Sequence, residues 1–323
     1  MYKRQYIQMG DERRAEAAYK ELIAKYPESE LAPDAQLNIA ISFYDAGNYQ
    51  QAIAEFQKVV ERYPGSDAAV QAQFYIGRAY YRLKSYSQAV KAFLKVDPKS
   101  EYGPAALYFA GWCLFDKENP RRDLKRAVEL FRRVVAEHPK SPEAERALLA
   151  MGRCYEEMGE LDEAAKAYST LIERYPRSAH YEAALLALGT ALLKQGKHAE
   201  AVKAFDRILN DKRRRFSDET IISALLFKAE ALAKMGRDEE AAETYLRMAL
   251  VYDQIDPDSA LTALIRAGEC YERLKRWEDA KTWFRRAVKQ FSSHPKRRKG
   301  WEKRLEYARR KLEELEKLHP SPR

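Results

Sequence analysis

The chain has 323 residues, of which 46% are apolar and 33% charged, and it carries a formal net charge of +9. That is enough apolar material for a packed core with a solvated outside, and no run reaches the ~18 consecutive apolar residues of a membrane-spanning helix. Three cysteines are too few for a disulfide framework, and the five histidines, at 138, 180, 198, 294 and 319, are too scattered for a metal site, so neither metal nor cofactor is expected.

Residues 1–5, Met-Tyr-Lys-Arg-Gln, match the translation of a short library adapter and read as a non-native leader. Residues 6–32 carry one partial unit, whose pattern begins abruptly inside a helix. The stretch 33–69 is the first complete unit. Leu37, Ile39, Ala40 and Phe43, then Ala52, Ile53, Phe56, Val59 and Val60, recur at short helical steps and predict two amphipathic helices. Gly47 between them suits a left-handed C-cap, and Pro64 stops the second helix. Six further units follow, at about 70–103, 104–141, 142–180, 181–215, 216–258 and 259–295.

The copies register on an alanine, at Ala15, Ala52, Ala89, Ala127, Ala164, Ala201, Ala241 and Ala280, with steps of 37 to 40 residues. Four residues after each stands an aromatic, from Tyr19 and Phe56 through Phe93, Phe131, Tyr168, Phe205 and Tyr245 to Phe284. Twelve residues before most of the alanines is a small residue, at Ala40, Gly77, Gly152, Gly189, Ala229 and Gly268. Gly111 stands sixteen before Ala127, across a longer loop at Glu118-Asn119-Pro120. Small residues on paired helices let the backbones approach, and the aromatic fills the remaining space. A bulky residue at Gly152 or Gly189 is therefore expected to cost more than Gly159→Ala at a turn. Cys113, Cys154 and Cys270 each follow the close-packed glycine by two residues and read as core. Prolines 27, 64, 98, 139, 176, 257 and 295 are expected after second helices, and Pro33, Pro104 and Pro142 in the first turn of the next.

This recurring order of small residue, aromatic, alanine, aromatic and proline resembles the tetratricopeptide repeat family. The period is longer than the ~34 residues of that family. Endings at Tyr26-Pro27, Tyr63-Pro64 and Tyr175-Pro176, followed by Ser29, Ser66 and Ser178, resemble those of bacterial cell-envelope members. Two such members are the periplasmic coordinator of the Tol-Pal system and the helical lipoprotein of the outer-membrane β-barrel assembly machinery. The resemblance implies an all-α, right-handed superhelical solenoid of antiparallel helix hairpins over residues 6–295, in one continuous array. It also implies a non-catalytic scaffold in assembly or coordination of an envelope complex, placed in the periplasm or at the outer-membrane periphery, with the cytoplasm as the alternative.

In this family the first helix of each hairpin lines the concave face. Its inward sites lie three residues before the close-packed residue and one and four after it. These sites select Leu37, Ile41 and Tyr44, then Phe74, Arg78 and Tyr81, then Tyr108, Trp112 and Phe115. Later units give Leu149, Arg153 and Glu156, then Leu186, Thr190 and Leu193, and near the end Ile265, Glu269 and Glu272, so the aromatics thin out. Phe74, Arg78, Tyr81, Tyr108, Trp112 and Phe115 are accordingly the candidate partner-binding residues, for an extended or helical apolar segment of another protein. The alternative is that these rings only fill a tight superhelix.

No phosphate-binding glycine loop, His-Glu-x-x-His or Cys-x-x-Cys is present, so the chain does not read as an enzyme. Docking half of a larger enzyme, such as a cell-wall hydrolase, is the alternative from another class. The basic run Lys212-Arg213-Arg214-Arg215 and the tail 296–323, with 11 basic against 5 acidic side chains, could contact nucleic acid or an anionic surface. No interleaved stacking aromatics accompany them, and a solvated surface is the favoured reading. Within that tail, Trp301, Leu305, Ala308, Leu312 and Leu315 form one apolar stripe on a helix over about 299–318, predicting a cap on the open end of the array.

Overall fold

A computed structural model describes residues 15–294 and 299–320, which are helical with no strand among them. The leader at 1–5, Tyr6, Gly10 and Pro295 lie outside the described residues. The chain divides into two compact units, Met1–Met158 and Gly159–Arg323. In the first, α1 covers residues 15–25, followed by α2 (Ala32–Asp45), α3 (Tyr49–Arg62), α4 (Asp67–Arg82), α5 (Tyr86–Phe93), α6 (Gly103–Phe115), α7 (Leu124–Glu137) and α8 (Pro142–Met158). In the second come α9 (Leu161–Arg174), α10 (Tyr181–Lys194), α11 (His198–Asn210), α12 (Asp218–Lys234), α13 (Asp238–Val251), α14 (Pro257–Arg273) and α15 (Trp277–Ser292). A 3-10 turn, Lys299–Trp301, then leads into α16 (Glu302–Leu318).

Within each unit, consecutive helices pack as antiparallel hairpins, and each hairpin packs on the next. The repeated alanines Ala52, Ala89, Ala127, Ala201, Ala241 and Ala280 are all fully buried. The aromatics four residues on meet the small residue of the partner helix. A Cβ placed on Gly77, Gly111, Gly189 or Gly268 would lie 2.5, 2.8, 2.4 or 2.9 Å from a ring atom of Phe93, Phe131, Phe205 or Phe284 respectively. The glycine therefore sets how closely the two backbones approach. Buried thiols share this layer, with Cys113 and Cys154 pushed up to about 12 and Cys270 to about 11 by burial, so all three remain protonated at neutral pH.

Helix starts follow local chemistry. The side chains of Ser66, Asp123, Ser217 and Asp256 each accept from the backbone N–H three residues on, satisfying a donor that the helix leaves open. Pro33 and Pro104 occupy first turns, and so does Pro257, which opens α14 after the Asp256 cap rather than merely trailing α13. Gly103 has a role the pattern did not signal, because a Cβ there would sit 2.1 Å from the Pro98 carbonyl oxygen where the shortened α5 turns back.

Hairpin turns show a second departure. Gly47, Gly159, Gly196 and Gly236 adopt positive φ as expected, but the same register holds Lys84 at φ 57° and Lys275 at φ 60°. A side chain in this left-handed region costs about 1–2 kcal/mol, partly offset when glycine's extra unfolded-state freedom is counted. Lys275→Gly is therefore expected to stabilise the second unit by about 0.5–1 kcal/mol, read as a higher urea midpoint. An unchanged or lower midpoint would show that the lysine side chain compensates its own strain.

The last helix closes the second unit as the apolar stripe predicts. Trp301, Leu305 and Ala308 are fully buried, Leu315 nearly so and Leu312 half-buried. Its polar side bonds to α14: Tyr307 donates to Glu269 at 2.8 Å, Lys311 to Glu272 at 2.7 Å, and Arg304 to Asp258 at 2.6 Å. At its far end the Lys281 ammonium, fully buried, donates to the His319 carbonyl at 2.6 Å, while the His319 ring stacks on Trp277 with centroids 4.0 Å apart.

Candidate functional site

The inward sites of the first unit fall on α2, α4, α6 and α8. Because each helix repeats the same register, one row holds Ile41, Arg78, Trp112 and Arg153, the next holds Tyr44, Tyr81, Phe115 and Glu156, and a third holds Leu37, Phe74, Tyr108 and Leu149. The six candidate residues divide into two environments. Phe74 and Phe115 are buried, at 6% and 8% exposure, whereas Arg78, Tyr81, Tyr108 and Trp112 are half-buried. Phe74 packs among the rings of Phe93, Tyr102 and Phe109, with centroids 5.6, 5.2 and 6.0 Å away. Phe115 is covered by the Arg122 guanidinium on one side and meets the edge of Trp112 at 5.4 Å.

The four half-buried residues are held by polar and ring contacts. Trp112 Nε1 donates to Tyr81 Oη at 3.2 Å, and Tyr81 in turn donates to Asp116 Oδ2 at 2.7 Å. Burial first, and then the Asp116 carboxylate that accepts from it, pushes the Tyr81 hydroxyl up to about 12, so it stays a donor throughout the neutral range. Trp112 stacks on Tyr108 at 6.1 Å, and Tyr108 leans on Phe131 at 5.6 Å. The Arg78 guanidinium lies 5.6 Å from the ring centres of both Tyr44 and Tyr75, a cation–π arrangement without a carboxylate partner among the described residues. Two of these partners escaped the sequence reading. Asp116 lies just past the end of α6, and Tyr75 is on the flank of α4; neither occupies an inward site.

In the second unit, the inward residues Glu269 and Glu272 are engaged by α16. A cavity of about 470 Å³ lies between α12, α13 and α14, with Phe227, Tyr245, Arg266 and Cys270 in its wall. In the basic run, Arg214 stacks 3.7 Å from the Tyr181 ring centre and bonds to the Pro176 carbonyl, so it fastens the loop to the hairpin before it. Among the described residues no group of three or more His, Cys, Asp and Glu side chains is placed to hold a metal ion. None of the described helices is long and apolar enough to cross a membrane.

Four family models, each described as tetratricopeptide repeat, match this chain, one over residues 4–67 and 37–104 and the others over 121–185, 183–211 and 219–293. Among curated proteins nothing matches. Among solved structures, the C-terminal part of a TPR repeat-containing protein from Cytophaga hutchinsonii is similar at 18% identity and a TM-score of 0.58, covering 80% of this chain and 97% of that one. A tetratricopeptide repeat protein from Parabacteroides merdae is similar at 15% identity and a TM-score of 0.42, covering 80% of this chain and 95% of that one. YrrB, described as a TPR protein with an unusual peptide-binding site, is similar at 20% identity and a TM-score of 0.45, covering 64% of this chain and 96% of that one.

Proposed function

Since the chain belongs to the tetratricopeptide repeat family, we propose that it is a non-catalytic protein-interaction scaffold that seats an extended or helical apolar segment of another protein along α4 and α6. The observation that carries this reading is the relay from Trp112 through Tyr81 to Asp116, which fixes two large rings in place while leaving both half exposed. Rigid aromatics of this kind are common energetic anchors, because little side-chain entropy is lost when a partner covers them. Phe115 forms a buried backing for Trp112. We place the scaffold in a bacterial cell-envelope complex, on the support of the Tyr-Pro endings followed by serine. Fractionation of cells carrying the full reading frame tests that placement, and recovery of the protein with the cytosol alone would end it.

The site is tested by replacing Tyr81 and Trp112 with alanine, singly and together, and measuring both thermal stability and affinity for peptides selected against the intact chain. Trp112→Ala is expected to weaken binding by about 2 kcal/mol or more with a smaller loss in melting temperature. Retained binding, or a loss of stability that precedes any loss of binding, would assign both rings to the core.

A further inference from the structure

The inward face of the first unit is not electrically neutral. In the row that holds Trp112, the indole is flanked by Arg78 on α4 and Arg153 on α8, with Arg146 a further two turns back on α8. Arg146 and Arg153 are exposed and Arg78 half-buried, and none of the three is paired with a carboxylate among the described residues. Other long cations of the chain, Arg122, Lys228 and Lys311 among them, do have an acidic partner. Burial raises the Tyr108 hydroxyl, Arg146 and Arg153 oppose that rise and Glu143 adds to it, so both guanidinium groups act on the aromatic patch electrostatically, while Glu156 stands one turn along α8 from Arg153. Asp116 is already occupied, accepting from Tyr81 with one oxygen and from the Glu118 backbone with the other.

Resting on the groove reading above, we infer that the segment it takes is an extended peptide carrying two acidic side chains on either side of an apolar or aromatic one. The apolar residue lies on Trp112 and Tyr108, and the carboxylates reach Arg78 at one end and Arg153, with Arg146 behind it, at the other. The spacing follows from geometry. Directly packed helices stand about 8–10 Å apart; α4, α6 and α8 touch one another more sparsely than that, so α4 to α8 spans roughly 20 Å or more, and an extended chain advances about 3.3 Å per residue. The two acidic residues are then about six or more positions apart. Arginine suits this task because its planar fork matches a carboxylate while its faces stay on the aromatic rings, as Arg78 does on Tyr44 and Tyr75.

The test uses the intact chain and a random library of short peptides displayed on phage. Selected peptides are expected to share the two acidic positions around an apolar one, and to bind about tenfold or more weakly to Arg153→Glu and to the Arg78→Glu/Arg153→Glu pair. Repeating the selection on the charge-reversed pair should exchange the acidic positions for lysine or arginine. Arg153→Glu alone guards against a folding artefact, since Arg153 is exposed and unpaired, and its melting temperature should stay at the native value. Peptides without acidic preference whose binding is lost in Trp112→Ala would overturn the charge inference and leave the groove in place. Peptides indifferent to both Trp112→Ala and charge reversal would overturn the groove as well. Equal competition by single-stranded DNA would show a general polyanion surface and also overturn the inference.

Discussion

Trp301→Ala is expected to destabilise the second unit by about 3–5 kcal/mol, the range for a large aromatic removed from a packed interior. Trp301 is the largest fully buried side chain among the described residues. Its ring meets the Phe291 ring edge-on at 5.3 Å and His294 at 5.5 Å, and its Nε1 donates to Asp258 Oδ1 at 2.6 Å. Alanine would leave a cavity where α15 and α16 meet, and it would remove one of the donors that hold Asp258. Arg304 still bonds that carboxylate at 2.6 Å, so Asp258 is not abandoned and the loss is mainly one of packing. In an array of this kind each helix pair depends on its neighbours, so the damage should be local before it is global. Amide exchange should accelerate first in α16 and then in α15 and α14, ahead of α9 to α11. A uniform rise in exchange along the unit would show that α16 is not a separate closing piece. Trp301→Phe, which keeps most of the apolar volume, should lose much less.

Gly189→Leu is expected to cost about 3 kcal/mol, at the upper end for an overpacked interior. The first added carbon would already lie 2.4 Å from Phe205 Cε1 and 2.7 Å from Cζ, and Phe205 is fully buried with nowhere to swing. The hairpin of α10 and α11 must open. Ala40 and Ala229 occupy the same register opposite Phe56 and Tyr245 and are fully buried, so a single methyl is accommodated in those hairpins. Gly189→Ala should accordingly fall between glycine and leucine. Gly159→Ala provides the contrast, because nothing lies within 4 Å of its Cβ position and only its φ of +76° opposes the change. That strain is worth about 1 kcal/mol. Urea midpoints that place Gly159→Ala below Gly189→Leu in stability would mean that the roles of turn and contact glycines have been exchanged.

What could be read from the residues was the part of the structure that repeats. The pairing of Gly77 with Phe93, or of Gly189 with Phe205, depends only on two helices joined by a short turn, so a fixed spacing in the chain becomes a fixed contact in space. The choice of inward sites followed from the same register. Contacts between successive hairpins were not legible in that way. Asp116 accepts from Tyr81 across 35 residues, and the sequence gives no sign that a carboxylate after α6 should sit beneath a hydroxyl on α4. Lys84 and Lys275 were missed for a different reason, since lysine carries no signal for positive φ and the glycine that normally marks such a turn is absent. The stripe from Trp301 to Leu315 announced a buried face, but only the structure identifies Glu269 and Glu272 as what its other side bonds.

The position of α16 also bears on how copies of this chain could meet. A stack of like units is by nature extensible: an uncovered last hairpin on one molecule would be an invitation to the first hairpin of another, and such head-to-tail contacts do not close on themselves but run on as fibres. Here the outer side of α16 presents Lys303, Glu306, Arg310 and Glu313, all exposed. An incoming apolar helix would have to strip water from four charged groups with little apolar surface in return. The last helix thus acts as a chain terminator in the polymer sense, allowing the molecule to be built from a self-complementary repeat without polymerising through that end.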